Sequence, residues 1–296
     1  MKQTIGYLGP KGTFTKMAVD SFFPSQTSIS YESIPSCIDA VQEGKVDLGV
    51  VPLENAIEGS VHITLDYLIH QIQLPIVGEI IVPIRQHLLI HPEAQQDYKA
   101  IHTVYSHSHA IAQCHQFLHT HLPHADIEYT PSTGRGAEIV QEKGPGVAAI
   151  GNELAADSYG LSIWKPDIHD FPNNHTRFVI ISKNRKQINF PNEEKITEKT
   201  TLMVTLPKDY TGALHQVLSA FAWRKMNLSK IESRPMKTGL GNYFFIIDVD
   251  QPYDDVLFPG VKAELEVLGC QVTVLGTYSS YHLHRSKRET LTEKTW

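Results

Sequence analysis

Between residues 4 and 182, apolar runs of strand length alternate with amphipathic runs of helix length, separated by turns rich in Gly, Pro, Ser, Thr and Asn. That alternation leaves few folds open, because strands joined through helices build a mostly parallel sheet with right-handed crossovers. Residues 4–8 read as a strand, Gly9-Pro10-Lys11-Gly12-Thr13 as a turn and 14–23 as a helix. A strand over 28–32, a helix over 35–43 and a buried strand over 46–51 follow, ending in Pro52-Leu53-Glu54-Asn55-Ala56-Ile57-Glu58-Gly59-Ser60. After a helix over 61–71, the β-rich passage 76–90 crosses into a second lobe that repeats the pattern. Its parts are a strand over 103–105, the turn Ser106-His107-Ser108-His109, a helix over 110–122, a strand over 127–130, the turn Ser132-Thr133-Gly134, a helix over 136–143 and a strand over 147–150. The chain is expected to return to the first lobe near residues 155–172. Ligands on such sheets bind beyond the carboxyl ends of the strands, where these polar turns fall. Helix N-termini there offer free N–H groups to a small anion, although a Gly-x-x-Gly equally fits a plain tight turn.

Residues 183–200 are charged, Asn-rich and poor in apolar side chains, which reads as a linker. Beyond it the order changes to strand 201–206, helix 212–225, strands 228–233 and 243–250, helix 256–268 and strand 271–278. This βαββαβ order is the split-βαβ, ferredoxin-like arrangement. The tail with Arg285-Ser286-Lys287-Arg288 reads as a solvated end.

Composition narrows the function classes. With 32 acidic against 26 basic residues and a net charge of -6, the chain has no general positive field for nucleic acid. Three scattered cysteines, Cys37, Cys114 and Cys270, suit a reducing compartment and make no thiolate zinc site. No apolar signal core precedes Thr4, and no apolar run reaches the ~20 residues of a membrane helix, so the expected location is the cytoplasm.

Polar residues that carry chemistry are concentrated in Asn173-Asn174-His175-Thr176-Arg177-Phe178, which runs directly into the apolar Val179-Ile180-Ile181. Groups packed at the start of a buried strand are held rigidly, as a site that orients a reacting molecule requires, whereas the same residues alone would fit a turn with a solvated Arg. Glu54 and Glu58 could do acid–base work or cap the next helix. His115 and His119 stand four apart, but no adjacent Glu or Cys completes a metal set, so they read as part of a solvated helix. Neither Ser36-Cys37 nor Ser219 has the Gly-x-Ser-x-Gly context of a hydrolase.

Taken in order, Gly9-Pro10-Lys11-Gly12-Thr13-Phe14, Val51-Pro52-Leu53-Glu54-Asn55, Glu58-Gly59-Ser60-Val61, Gln113-Cys114, Ser132-Thr133, Asn174-x-Thr176-Arg177-Phe178, Gly212-Ala213-Leu214 and Glu232-Ser233-Arg234-Pro235 resemble the prephenate dehydratases from about residue 4 to 281. The resemblance implies an α/β catalytic domain over 1–182, built like two-lobed periplasmic binding proteins, with lobe one about 1–77 and 170–182 and lobe two about 78–169. It further implies a linker over 183–199, an ACT regulatory domain over 200–281 and a tail over 282–296. The implied activity converts prephenate to phenylpyruvate, water and carbon dioxide without cofactor or metal, under feedback by L-phenylalanine, in a homodimer or homotetramer. Arogenate dehydratase is the nearest alternative, and a non-catalytic ligand sensor a more distant one.

By the same resemblance, Thr176, Asn55 and Glu54 are the expected catalytic residues. Arg177, Phe178, Gly12, Thr13, Ser60, Ser106, Gln113, Ser132, Thr133 and Asn174 are expected to bind substrate. Within that set, Arg177 would pair with a substrate carboxylate and Thr176 would protonate the departing hydroxyl. Gly212, Ala213, Leu214, Asn227, Leu228, Glu232, Ser233 and Arg234 are expected to bind phenylalanine. The chain departs from the family at Ala56, at Ser108-His109 in place of Pro-Gln, at Gly134 and Gly136 in place of Ala, and at Thr211 and Ser279 in place of Pro.

Overall fold

The computed structural model describes residues 3–190, 195–207, 210–236 and 243–283. It opens with β1 (Thr4–Leu8), α1 (Phe14–Phe22), β2 (Thr27–Tyr31), α2 (Ile34–Gln42) and β3 (Leu48–Asn55). β1 runs parallel to both β2 and β3, as the strand–helix alternation requires. Side chains from the turns fix the helix starts: Thr13 Oγ1 accepts the Lys16 N–H, and Ser33 with Ser36 forms a reciprocal capping box. β4 (Gly59–Ser60) folds back on the end of β3, with Asn55 opposite Gly59, and α3 (His62–His70) follows.

The passage 76–90 is two strands, β5 (Ile76–Pro83) and β6 (His87–Ile90). The crossing between lobes, expected near residue 78, therefore lies at 84–86. β5 continues past 78 because its side chains are buried almost throughout, and at its end the Ile84 N–H donates to Asn174 O at 2.8 Å. The second lobe holds β7 (Thr103–Ser106), α4 (Ser108–Ala112), α5 (His115–His121), β8 (Asp126–Tyr129), α6 (Thr133–Lys143), β9 (Val147–Gly151), α7 (Glu153–Tyr159) and β10 (Ser162–Lys165). Its sheet order is β10-β6-β9-β7-β8, with β7 parallel to β8 and β9 and with β6 antiparallel to β9 and β10.

Two expectations change here. The helix over 110–122 is broken at Gln113 and Cys114, because Asp170 N–H takes the Gln113 carbonyl at 2.6 Å and Asp170 Oδ2 accepts the Gln116 N–H at 3.2 Å. Residues 155–172, read as a return crossing, contain the end of α7 and all of β10. Asn152 caps α7 through the Ala155 N–H, and Gly160 ends it at φ +64°.

β11 (His175–Ser182) brings the chain back beside β3. The molecule divides into two compact units, one holding the described residues up to Ile72 with Ile81–Phe178, the other Gln73–Ile80 with Val179–His282. In the second unit β12 (Lys195–Thr205), α8 (Ala213–Ala222), β13 (Leu228–Pro235), β14 (Tyr243–Val249), α9 (Leu257–Val267) and β15 (Gln271–His282) follow the βαββαβ order. Their sheet runs β13-β14-β12-β15 with every pairing antiparallel, the split-βαβ topology. Leu202 and Val204 of β12 pack on Val217 and Phe221 of α8 and on Val261 and Leu265 of α9.

β12 begins at Lys195, inside the stretch read as linker. Its charges are paired in the strand: Lys199 Nζ lies 3.0 Å from Glu79 Oε1, which also accepts from Ser280 Oγ at 2.7 Å. The basic run Arg285-Ser286-Lys287-Arg288 lies outside the described residues. Among the described residues no helix is long and apolar enough to cross a membrane.

Candidate active site

A cavity of about 930 Å³ opens between the two lobes of the first unit. The first lobe lines it with the turn before α1, the hairpin between β3 and β4, and the start of β11. The second lobe adds the turns before α4 and α6.

At the first-lobe wall, Asn55 Nδ2 donates to Thr176 Oγ1 at 2.8 Å. The amide cannot be turned the other way, because Asn55 Oδ1 already accepts the Ile57 and Glu58 N–H groups at 3.0 and 3.1 Å. Thr176 Oγ1 is thereby an acceptor from Asn55, and its own proton is left to point elsewhere. Thr176 is only 8% exposed, and the cavity is the space it faces.

Alternation along β11 separates the three residues of the Thr-Arg-Phe run. Thr176 and Phe178 share the cavity face, and Arg177 between them takes the other. There Arg177 donates to Glu54 Oε2 at 2.6 Å, so neither Arg177 nor Glu54 lines the cavity, in contrast to the carboxylate contact expected of Arg177. Residues 54, 55 and 56 meet 177, 176 and 175 in turn, the last through Ala56 N–H to His175 O at 2.9 Å. The charged pair and the catalytic candidates are thus consecutive rungs of one strand pairing, facing opposite ways.

In the second lobe, Ser132 caps α6 through the Arg135 N–H at 3.1 Å, and Ser132, Thr133 and Arg135 line the cavity. Thr13 does the same at the start of α1, so two helix N-termini face the space. Gln113 lines it as well; its Oε1 accepts from buried Asn174 Nδ2 at 3.0 Å, which turns its amide nitrogen outward. Ser60 completes the set expected from the sequence. Asn174, Ser106 and Gly12 stand behind the wall: Ser106 Oγ is spent on Ile150 O at 2.7 Å, and Gly12 holds the turn at φ +79°.

Charged groups outside the expected set of site residues are also present. Arg135 is held by Glu138 at 2.6 Å and Glu142 at 3.5 Å, and its position in the first turn after the Ser132 cap was the available signal. His107 caps α4 by accepting the His109 N–H at 3.3 Å, and His109 Nε2 lies 3.5 Å from Glu58 Oε2. Burial, and then the neighbouring His109, hold the His107 imidazole below its ordinary pKa against the pull of Glu58. Glu32 lines the same cavity. All three cysteines are buried, and burial pushes the Cys37 thiol up to about 12, which removes a ready thiolate. His115 and His119 merely stack, with ring centroids 6.1 Å apart, and no group of three or more possible ligands for a metal occurs among the described residues.

In the second unit, Gly212 caps α8 at φ +88°, Ala213 is buried and Leu214 is exposed. Asn227 donates to Asp250 Oδ2 at 2.8 Å, and Leu228 packs on the core beneath both helices. Glu232, Ser233 and Arg234 lie along the edge strand β13, with Glu232 3.2 Å from Lys230 Nζ and 4.0 Å from Arg234. The regulatory candidates therefore occupy two elements, the start of α8 and the length of β13.

Comparison with known proteins gives these arrangements a context. The model of a family described as prephenate dehydratase matches residues 5–186. A prephenate dehydratase of Bacillus subtilis (strain 168) is 55% identical over 284 residues, spanning 94% of this chain and 99% of its own. A solved prephenate dehydratase from Arthrobacter aurescens, in complex with L-Phe, superposes with a TM-score of 0.80 at 35% identity, covering 93% of this chain and 89% of that one. A structure described as a novel type of quorum quenching acylase gives a TM-score of 0.78 at 25% identity, over 94% and 98% of the two chains. Fold alone does not separate those activities.

Proposed function

Since the chain belongs to the prephenate dehydratase family, we propose that the cavity between the lobes binds prephenate and that Thr176 delivers the proton with which its ring hydroxyl leaves. In the reaction the bond to the ring carboxylate breaks, its electron pair aromatises the ring, and the hydroxyl departs as water while carbon dioxide is released. Aromatisation supplies the driving force, so the protein has to hold a dianion and assist one leaving group. The observation that carries the reading is the fixed Asn55 amide, which makes Thr176 Oγ1 an acceptor and frees its proton for the substrate.

A threonine is a weak acid, and its use requires a closed, dry cavity where the leaving oxygen becomes strongly basic. Arg135 and the N-termini of α1 and α6 supply positive potential for the carboxylates. Gln113, turned outward by Asn174, adds a neutral donor. Glu54 and Arg177 are positioning residues: their ion pair on the far face holds β3 and β11 in the register that places Asn55 against Thr176.

The second unit is an ACT-type regulatory domain in this reading, with Gly212, Ala213, Leu214, Asn227, Leu228, Glu232, Ser233 and Arg234 taking phenylalanine where copies of the chain meet in a homodimer or homotetramer. The L-Phe complex of the Arthrobacter relative supports it. Incubating the protein with prephenate and reading phenylpyruvate absorbance in base tests the activity, and repeating the assay across a phenylalanine titration tests regulation. Phenylpyruvate formation that falls as phenylalanine rises is expected. No phenylpyruvate removes the activity, and a rate indifferent to phenylalanine removes the regulatory role.

A further inference from the structure

Asn55, Gln86 and Gln113 bring carboxamides to the cavity, and two of the three are pinned. Asn55 Oδ1 is held by two backbone N–H groups, and Gln113 Oε1 by Asn174 Nδ2. Gln86 differs: its side chain is only 3% exposed, yet its Oε1 is buried with no hydrogen-bond partner among the described residues. An unpaired buried polar atom is costly, and on the wall of a ligand cavity it marks a side chain whose partner arrives with the ligand.

The backbone of Gln86, by contrast, is engaged on both sides. It lies in the outward crossing at 84–86, where its N–H donates to His169 Nδ1 at 3.4 Å and its carbonyl accepts the Ile168 N–H at 2.8 Å, both from the returning segment. Next to it Arg85 Nη1 lies 3.4 Å from Asp167 Oδ2 of that same segment. The side chain therefore stands on a fixed base where the lobes join. No partner holds its Oε1, and the last torsion of a glutamine is a broad two-fold well, so the carboxamide can turn Nε2 toward a ligand.

Register decides which part of the ligand it meets. The Ile84 N–H donates to Asn174 O, and two residues on Gln86 meets Ile168, so the two segments run antiparallel. Thr176 lies two residues to one side of the Ile84–Asn174 rung and Gln86 two residues to the other. Four steps of extended chain, at ~3.3 Å each, put roughly 13 Å between their backbones. With Thr176 at the ring hydroxyl, Gln86 is left to the opposite end of prephenate, which carries the ring carboxylate and the pyruvyl group. Carboxylates draw on the positive potential of Arg135 and the helix N-termini, whereas a neutral N–H donor matches the neutral ketone.

We infer that Gln86 is a substrate-binding residue whose carboxamide N–H donates to the ketone oxygen of the pyruvyl group, fixing the end of the ring opposite Thr176. The inference rests on the prephenate reading above and adds the contact at the far end of the cavity.

The test compares the parent with Q86M, which keeps the length of the side chain, and with Q86E. It measures KM for prephenate and the competitive inhibition constants of phenylpyruvate, which retains the ketone, and of 3-phenylpropanoate, which lacks it. None of these depends on the fraction of folded protein. Q86M is expected to raise KM and the phenylpyruvate constant together by roughly three- to tenfold, the range for one neutral hydrogen bond, with kcat changing less than KM. The 3-phenylpropanoate constant should stay within about twofold, and Q86E, which adds a negative charge, should weaken phenylpyruvate more than Q86M does. Because Oε1 has no partner to lose, the thermal unfolding midpoint of Q86M should equal or exceed that of the parent. A Q86M that weakens both inhibitors equally, or that leaves KM and both constants unchanged while its midpoint falls, overturns the assignment. A parent that forms no phenylpyruvate contradicts instead the activity on which it rests.

Discussion

Two backbone N–H groups decide what the Thr176 hydroxyl can do. By occupying Asn55 Oδ1 they turn the Asn55 amide nitrogen onto Thr176 Oγ1, and the threonine proton is released for another acceptor. One residue along each strand, Arg177 and Glu54 pair on the opposite face at 2.6 Å. In Arg177→Lys the ammonium cannot reproduce the planar guanidinium, and the strand register loosens. We expect kcat to fall roughly tenfold or more through misplacement of Thr176, with KM for prephenate moving less than about twofold. Steady-state kinetics decides it: a raised KM with unchanged kcat would put Arg177 on the substrate. The residues of this rung were legible in the sequence, since amides, hydroxyl and charge crowd into 173–178. Their division of labour was not, because a run of motif residues does not say which face of the strand meets the cavity.

Elements were legible where hydrophobic period and turn chemistry agreed, as in β1, α1 and the βαββαβ order of the second unit. They were missed where a tertiary contact outweighed local signal. Asp170 breaks the expected helix at Gln113, and α7 was passed over because Glu153–Tyr159 is short and only weakly apolar, despite Asn152 and Gly160 at its ends. β12 is the plainest instance. Lys195, Glu198 and Lys199 read as a solvated run, yet Lys199 is 8% exposed and bonded to Glu79, which is fully buried. Removing one partner leaves the other as an uncompensated buried charge. Lys199→Met should therefore cost about 3–5 kcal/mol in equilibrium denaturation, while Glu79→Leu with Lys199→Met should recover most of it. A single variant within about 1 kcal/mol of the parent would mean that the pair is solvated.

At the scale of the molecule, two lobes of the first unit line one cavity. Asn55 and Thr176 lie 121 residues apart in the chain, and pairing over that separation cannot be read from local pattern. The lobes meet closely at the start of α6: a side chain on Gly134 would put its Cβ 2.6 Å from Lys11 O, so glycine permits the contact. Tyr159 Oη donates to the same carbonyl at 3.4 Å. In the proposed reaction it is a closed, dry cavity that lets Thr176 act on the leaving oxygen. The most direct measurement of that role is kcat and KM for prephenate in Thr176→Ala beside Thr176→Ser. A positioned proton donor predicts a kcat for the alanine variant lower by ~10²–10⁴ with KM little changed, and a serine variant that keeps most of the activity. An alanine variant whose kcat stays within a few-fold of the parent would contradict the account.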